Sequence, residues 1–246
     1  MPNPPKQYKL RADQIKPLIP ENLGGCVATD MITVQGMKVG YMVREKPSKP
    51  DDSGWSFMAG TEPQDYMDNP ANHGVFAVNT IANYDPDIIL FLMARYGAEF
   101  IRDKQTGQFV QINEKGQPIT RRRMNERWSI GLDASFQKRE ENGALVYWRP
   151  GASIWINIWN TGQARQVALA SVKEQSSRDR KDLYEADDGA ILRYGYFLVE
   201  EEDGKRRYAI YGYTATDGEL IQMAIYIDKP EDQAWASKIA QSLRTE

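Results

Sequence analysis

The sequence predicts an α+β chain of two domains, each a mainly antiparallel sheet with few helices, the second closed by a C-terminal helix. Three observations support this class. Short β-branched and aromatic runs recur along the chain between turn residues. The last segment, Glu231 to Leu243, carries Trp235, Ile239 and Leu243 four residues apart, one face of a helix. Between the two halves, residues 113–127 are polar and carry Gly116, Pro118 and charge, the composition of a connection between domains.

The elements follow in order. Residues 1–23 read as an extended N-terminal arm with a short helix near Ala12–Lys16. The first domain spans 24–112. Its strand Cys26 to Val34 turns at Gln35-Gly36 and returns as Lys38 to Arg44, a hairpin. Lys46 to Gly54 is a loop, Trp55 to Ala59 a third strand, and Pro63 to Met67 one helical turn stopped by Asn69-Pro70. Val75 to Ile81 is a strand. Asp85 caps and Pro86 opens a helix to about Tyr96, ended by Gly97. Ala98 to Ile112 forms a hairpin around Thr106-Gly107. After the linker at 113–127, the second domain spans 128–246. Alternating Ile154, Ile156 and Ile158 mark a strand. Thr161 to Val172 holds a short helix or strand, and Lys173 to Gly189 is a surface loop. Ile191 to Glu200, Tyr208 to Ala215 and Leu220 to Ile227 are strands of an antiparallel sheet.

Composition narrows the function. The chain has 246 residues, 41% hydrophobic and 26% charged, enough for two buried cores. The single cysteine, Cys26, excludes an intramolecular disulfide and reads as a small buried hydrophobe. The N-terminus lacks the apolar run of a signal peptide, and the longest greasy run, Ile88 to Ala94, is too short to cross a membrane. A cytoplasmic location with no membrane partner is the expectation. The net charge of −3 disfavours direct nucleic-acid binding.

Catalytic patterns are scarce. The only histidine, His73, rules out a His-pair metal site, and nothing around Cys26 resembles an activated nucleophile. The pairs Asp51-Asp52 and Asp187-Asp188 stand beside Ser or Gly and read as turns. No catalytic residue, metal site or cofactor is expected. Asn79 and Asn83 are expected to bond the backbone of the loop entering the following helix. What local structure does not require is the charge pattern. Asp51, Asp52, Glu62, Asp65, Asp68, Asp85 and Asp87 fall between residues 51 and 87, with no Lys or Arg among them. Trp55, Tyr66 and Tyr84 interleave with them. An acidic segment with aromatic anchors suits binding of a basic protein. The candidate contacts are Asp51, Asp52, Trp55, Glu62, Asp65, Tyr66, Asp68, Tyr84 and Asp87. Of these Asp51, Asp52, Glu62 and Asp65 have the weakest structural roles, whereas Trp55 is also read as core.

The run GCVATDMITVQGMKVGYMVRE, followed by DDSGWSFMAGTE, YMDNP and NTIANYDPDI, closely resembles a family of immunity proteins of bacterial polymorphic toxin systems. The resemblance covers about Gly25 to Asp103. The whole chain is similar to immunity proteins of type VI secretion systems whose effectors are nuclease-type toxins. This implies a cognate protein toxin as partner, basic and nuclease-like, and leaves homo-oligomerisation open. It supplies no catalytic residues. Two other classes stand beside it: a regulatory or scaffold module with a different protein partner, and an enzyme using the carboxylates.

Overall fold

The computed structural model describes residues 5–19, 23–202 and 204–245. The architecture is α+β, rich in strands with few helices. The chain divides into two compact units, one running to Thr120 with Asp133–Ser135 added, the other holding Arg121–Leu132 and Phe136 onward.

The first unit contains β1 (Gly25–Thr29), α1 (Asp30–Thr33), β2 (Tyr41–Arg44), β3 (Asp52–Met58), α2 (Gln64–Met67), β4 (His73–Ala77), α3 (Val78–Tyr84), a 3-10 stretch Pro86–Phe91, β5 (Ala98–Arg102) and β6 (Phe109–Ile112). Its six strands run in the order β4-β1-β3-β2-β5-β6. The sheet is mixed, since β1 pairs with β3 in parallel and with β4 antiparallel. Cys26, Ala28, Met42, Trp55, Phe57 and Phe100 fill one face, beneath Ile32, Val78, Ile81 and Ile88 from the helical layer.

Three expectations are corrected here. Cys26–Val34 and Lys38–Arg44 do not form a hairpin. The chain leaves β1 into α1, and Gly36, at φ +77°, donates to the Ile32 carbonyl as a left-handed helix terminator. The alternation over 75–81 hides a helix, because Val78, Ile81 and Ala82 stand at i, i+3 and i+4 and are all buried. The helix expected to Tyr96 is the shorter 3-10 stretch. Asp85 does cap it, accepting from the Asp87 amide at 3.3 Å.

Asn79 and Asn83 also act differently from expectation. One turn apart on α3, they clamp the N-terminal arm. The Asn83 Oδ1 accepts from the Lys16 amide, and the Asn79 Oδ1 from the Leu18 amide, both at 2.9 Å. Both side-chain amides donate back to the Lys16 carbonyl. Upstream, the Tyr84 hydroxyl accepts from the Leu10 amide and donates to the Thr33 carbonyl. The arm expected over 1–23 is described for 5–19 and for residue 23; residues 1–4 and 20–22 lie outside the described residues.

The second unit contains β7 (Arg122–Arg123), β8 (Trp128–Ile130), β9 (Gln137–Glu141), β10 (Ala144–Arg149), β11 (Ala152–Asn160), α4 (Arg165–Gln175), β12 (Lys181–Asp187), β13 (Leu192–Glu202), β14 (Lys205–Thr216), β15 (Glu219–Ile227), α5 (Gln233–Ala240) and β16 (Arg244–Thr245). Seven strands run antiparallel in the order β12-β13-β14-β15-β11-β10-β9, and a small sheet has the order β16-β8-β7. Ile154, Ile156, Ile210, Ile221, Met223 and Ile225 form the core face under α5. At Gly212 a Cβ would lie 2.7 Å from the Ala240 Cβ, so this strand position must lack a side chain for the helix to seat. The expected surface loop 173–189 is instead the end of α4 and the strand β12. β12 is polar because it is an edge strand with mostly exposed residues. Within the stretch read as a connection, Asn113–Ile119 folds back on β6 and Arg122–Arg123 pairs with β8.

The clamp gives a direct check. In Asn79→Ala with Asn83→Ala, the Lys16 and Leu18 amides lose their acceptors. Their hydrogen exchange should rise at least tenfold while that of the β3 amides is unchanged; equal rates in both proteins would show that the arm is held by other contacts.

Candidate protein-binding surface

In the first sheet, side chains alternate between the core face and the opposite face. Cross-strand register places Val75, Val27, Ser56, Val43 and Glu99 in one row of that opposite face. A second row holds Met58, Tyr41, Ile101 and Val110. Val75 is 78% exposed and Val27 40%. Met58, Met67, Tyr41 and Ile101 line a depression of about 660 Å³, with Glu62, Asp103, Arg102 and Lys104 also in its wall. Met is adaptable and Tyr amphipathic, a combination suited to contact with another protein. The sequence signal for this face is the period-2 pattern of its strands.

The structure separates the acidic residues. Asp51 and Asp52 sit where β3 begins, while Glu62, Asp65 and Asp68 lie beyond its other end. A seven-residue strand stands between them, roughly 20 Å at the usual rise. Asp85 and Asp87 share the far end, next to the start of β2 and the end of β5, through Val39 and Arg102. The segment lacks bases in sequence, yet Arg102 and Lys38 reach Asp87 at 2.9 and 3.2 Å from outside it. Asp85 is fully buried and holds the Arg102 guanidinium and the Val39 amide.

Asp52 and Glu62, read as having weak structural roles, have strong ones. The Asp52 carboxylate accepts from the Ser48 and Gly54 amides and the Ser48 hydroxyl. Those bonds hold its carboxyl below the usual range. The start of β3 needs Gly54 itself, at φ +75°, because a Cβ there would lie 2.0 Å from the Glu45 carbonyl oxygen. Glu62 accepts from the Thr29 hydroxyl at 2.6 Å and from the amides of Ala59, Gly60 and Thr61 at 2.7, 2.7 and 3.0 Å. Burial pushes its carboxyl up, but those donors outweigh it and the net direction is down. For Asp87 burial is likewise overcome, by Arg102 and Lys38.

Two aromatic candidates are also corrected. Trp55 is 1% exposed and donates to the Leu92 carbonyl, so its ring serves the core. Tyr84 is committed to the arm. Tyr66 is half-buried on α2. Asp51, Asp65, Asp68 and Asp87 are exposed, Asp68 accepting from Gln64 and Asp87 bound to its two cations. Cys26 is buried, and burial followed by the nearby Asp52 charge pushes its thiol up to about 12. It donates to the Phe76 carbonyl, whereas His73 contacts the Met67 carbonyl, so the two form no dyad.

Comparison with known proteins bears on this unit. Residues 26–113 match the Immunity protein Imm33 domain. The match spans the sheet from Cys26, its helical layer, the loop carrying Glu62 and the helix α2 carrying Asp65. No curated protein matches the chain in sequence. Among solved structures, a Bacteroides thetaiotaomicron protein is similar with TM-score 0.39 and 12% identity, over 48% of this chain and 45% of that one. This chain therefore covers under half the length of that protein. The cyanobacterial PsbP protein of Synechocystis gives TM-score 0.38 and 13% identity, over 53% of this chain and 96% of that one.

Glu62 and Asp65 separate scaffold from surface. Glu62→Ala strands buried donors and should cost about 1–3 kcal/mol in urea unfolding at pH 7. Asp65→Ala should stay within about ±0.5 kcal/mol. Because Glu62 titrates below its unfolded value, its contribution is full above about pH 4.5 and fades as pH falls through the folded value. The gap between wild type and Glu62→Ala should therefore narrow from pH 6 to pH 3; a gap independent of pH would contradict a charged Glu62.

Proposed function

We propose that this chain is an immunity protein that binds and neutralises a cognate toxin, a basic nuclease delivered by a type VI secretion system. The observation that carries the reading is the Imm33 match over residues 26–113. The half-open sheet face and the exposed acids support it. Val27, Val75, Met58, Tyr41 and Ile101 offer apolar and amphipathic contact area, and Asp65 on α2 and Asp68 at its end stand close in sequence to Met67 of the depression wall. A nuclease carries positive charge to hold its polyanionic substrate. Exposed carboxylates at the rim attract such a surface and speed encounter, while the apolar face supplies the contacts that hold it. Steric occlusion of the active-site cleft then suffices for neutralisation, without chemistry.

The state of the carboxylates favours binding over acid catalysis. Asp52, Glu62 and Asp87 are all held below the usual range, so near neutrality they are charged acceptors. A general acid at that pH needs the opposite shift. Their donors are backbone amides, hydroxyls and cations of this same chain, which fixes them as parts of the scaffold. The cytoplasm, where a nuclease would meet nucleic acid, is the compartment this reading requires.

Two measurements test the proposal. Titration of the toxin with this protein should abolish substrate cleavage at a one-to-one ratio; full protection at far lower ratios would point to turnover. Asp65→Lys should slow association and flatten its salt dependence, since exposed charges act mainly through steering screened over about 8 Å. Asp51→Lys, at the other end of β3, should leave the rate unchanged. The reverse pattern would move the contact to the Asp51 end, and no effect from either would move it off the acidic segment.

A further inference from the structure

The mixed sheet of the first unit has two edges, β6 and β4, and only one of them is closed. Asn113–Ile119 folds back along β6, with the Ile119 amide donating to the Gln111 carbonyl. The outer strands of the other sheets carry charge instead. β9 reads QKREE and β12 KDLYEAD, and the small sheet ends on Arg122–Arg123 and Arg244–Thr245. Cover and charge both discourage the addition of another strand. β4 has neither device within its own sequence, HGVFA. Val75, at its centre, is 78% exposed.

Hydrogen-bond parity fixes which backbone groups of β4 face outward. β1 and β4 run antiparallel, with Cys26 opposite Phe76 and Val27 opposite Val75. The Val78 amide donates to the Gly24 carbonyl at 3.1 Å, while the Gly25 amide points the other way, to the Asp51 carbonyl. Bonded pairs recur at every second residue of such a ladder, so Cys26–Phe76 and Ala28–Gly74 are the bonded ones. The backbone groups of His73, Val75 and Ala77 therefore point away from β1. The His73 carbonyl accepts there from the Lys6 amine at 2.9 Å. The His73 amide turns back to the Pro70 carbonyl. Among the described residues no strand lies beyond β4, so the Val75 amide and carbonyl and the Ala77 amide face an open edge.

We propose that β4 pairs antiparallel with β4 of a second copy of this chain, about a two-fold axis at Val75. The two Val75 residues exchange amide-to-carbonyl bonds. At each end the Ala77 amide reaches the His73 carbonyl of the other copy, whose second lone pair is left by Lys6. An open edge selects an extended strand, because its donors and acceptors repeat at strand spacing. A second β4 is the strand this chain supplies, since its other edges are covered or charged, and two-fold pairing closes without propagating. Charge fits the same arrangement. β4 itself is uncharged, and the Lys6–Asp30 ion pair stands at its His73 end. Antiparallel pairing therefore sets the two ion pairs at opposite ends of the joint, where like charges do not meet. Val27 and Val75 of both copies form one apolar stripe across the joined sheet. Strands this short bury little area, so the dimer is reversible, with a dissociation constant on the order of tens of micromolar. The inference concerns the edge of β4 rather than the face used in the toxin reading, and it is measured without toxin, so either can fail alone.

The test uses the full chain. Sedimentation velocity from about 1 to 300 µM should show a monomer passing into a dimer, with no larger species. Val75→Pro removes an outward amide, a change that edge strands accept. It should weaken association at least tenfold with an unchanged circular dichroism spectrum. Val75→Cys gives a second reading, since opposed residues of a bonded pair stand about 5.5 Å apart at Cα, within disulfide reach. Mild oxidation should link most of this variant into dimers. Lys115→Cys, exposed beyond the β6 edge, should stay unlinked, and the native Cys26 is buried. A chain that stays monomeric throughout the range overturns the proposal, as do larger assemblies. So does association indifferent to Val75→Pro, or linking of Lys115→Cys as readily as of Val75→Cys. Should Val75→Pro not fold, the two cysteine variants decide alone.

Discussion

The first unit depends on one buried ion pair. Asp85 is sealed from solvent and gives its carboxylate to Arg102, the Val39 amide and the Asp87 amide. Arg102 returns with bonds to the Val39 and Gly107 carbonyls and packs over the Phe109 ring at 4.2 Å. Four pieces of chain thereby converge: the cap of the 3-10 stretch, the entry to β2, the end of β5 and the turn before β6. A buried carboxylate deprived of its cation is expensive, typically by about 3–5 kcal/mol. The geometry at this end of the sheet therefore follows from satisfying Asp85, and the depression beside Tyr41 and Ile101 inherits its shape from it.

The same constraint explains what was legible in the sequence. Segments whose fate is set locally were readable. The Asp85-Pro86 cap, the turn at Thr106-Gly107 and the long strands of the second sheet all follow from turn chemistry and period. Segments whose fate is set by distant partners were not. Nothing local tells that β1 pairs in parallel with β3, or that Asn79 and Asn83 reach back to Lys16. The acids misled for a related reason. A stretch without Lys or Arg implies a negative surface only if no base arrives from elsewhere, and Arg102, Lys38 and a set of backbone amides do arrive.

The motifs that carried the family resemblance turn out to be mostly framework. In DDSGW, Asp52 and Gly54 set the start of β3, and Trp55 fills the core. In NTIANYDPDI, the two Asn residues clamp the arm, Tyr84 pins it, and Asp85 closes the ion pair. In YMDNP, Asn69 caps the next short helix by accepting from the Ala71 amide. Such residues specify a platform. The opposite sheet face and the exposed Asp65 of α2 take no part in these framework bonds. Substitutions there can thus be made without disturbing the hydrogen bonds beneath.

The topology of the second sheet bears on how it assembles. β9-β10-β11 and β12-β13-β14-β15 are each meanders of neighbouring hairpins, joined where β11 meets β15. That seam brings Asn160 beside Glu219 and Ala152 beside Ile227, with α4 in the connection between the two meanders. Hairpins close short loops and cost little entropy, whereas the seam must close a long one. Local meanders are therefore favoured to form ahead of the seam, and their unpaired inner edges, β11 and β15, are rich in Ile and other apolar residues. During synthesis β11 emerges well before its partner, so the interval until β15 arrives is when this chain most needs shielding from other nascent strands.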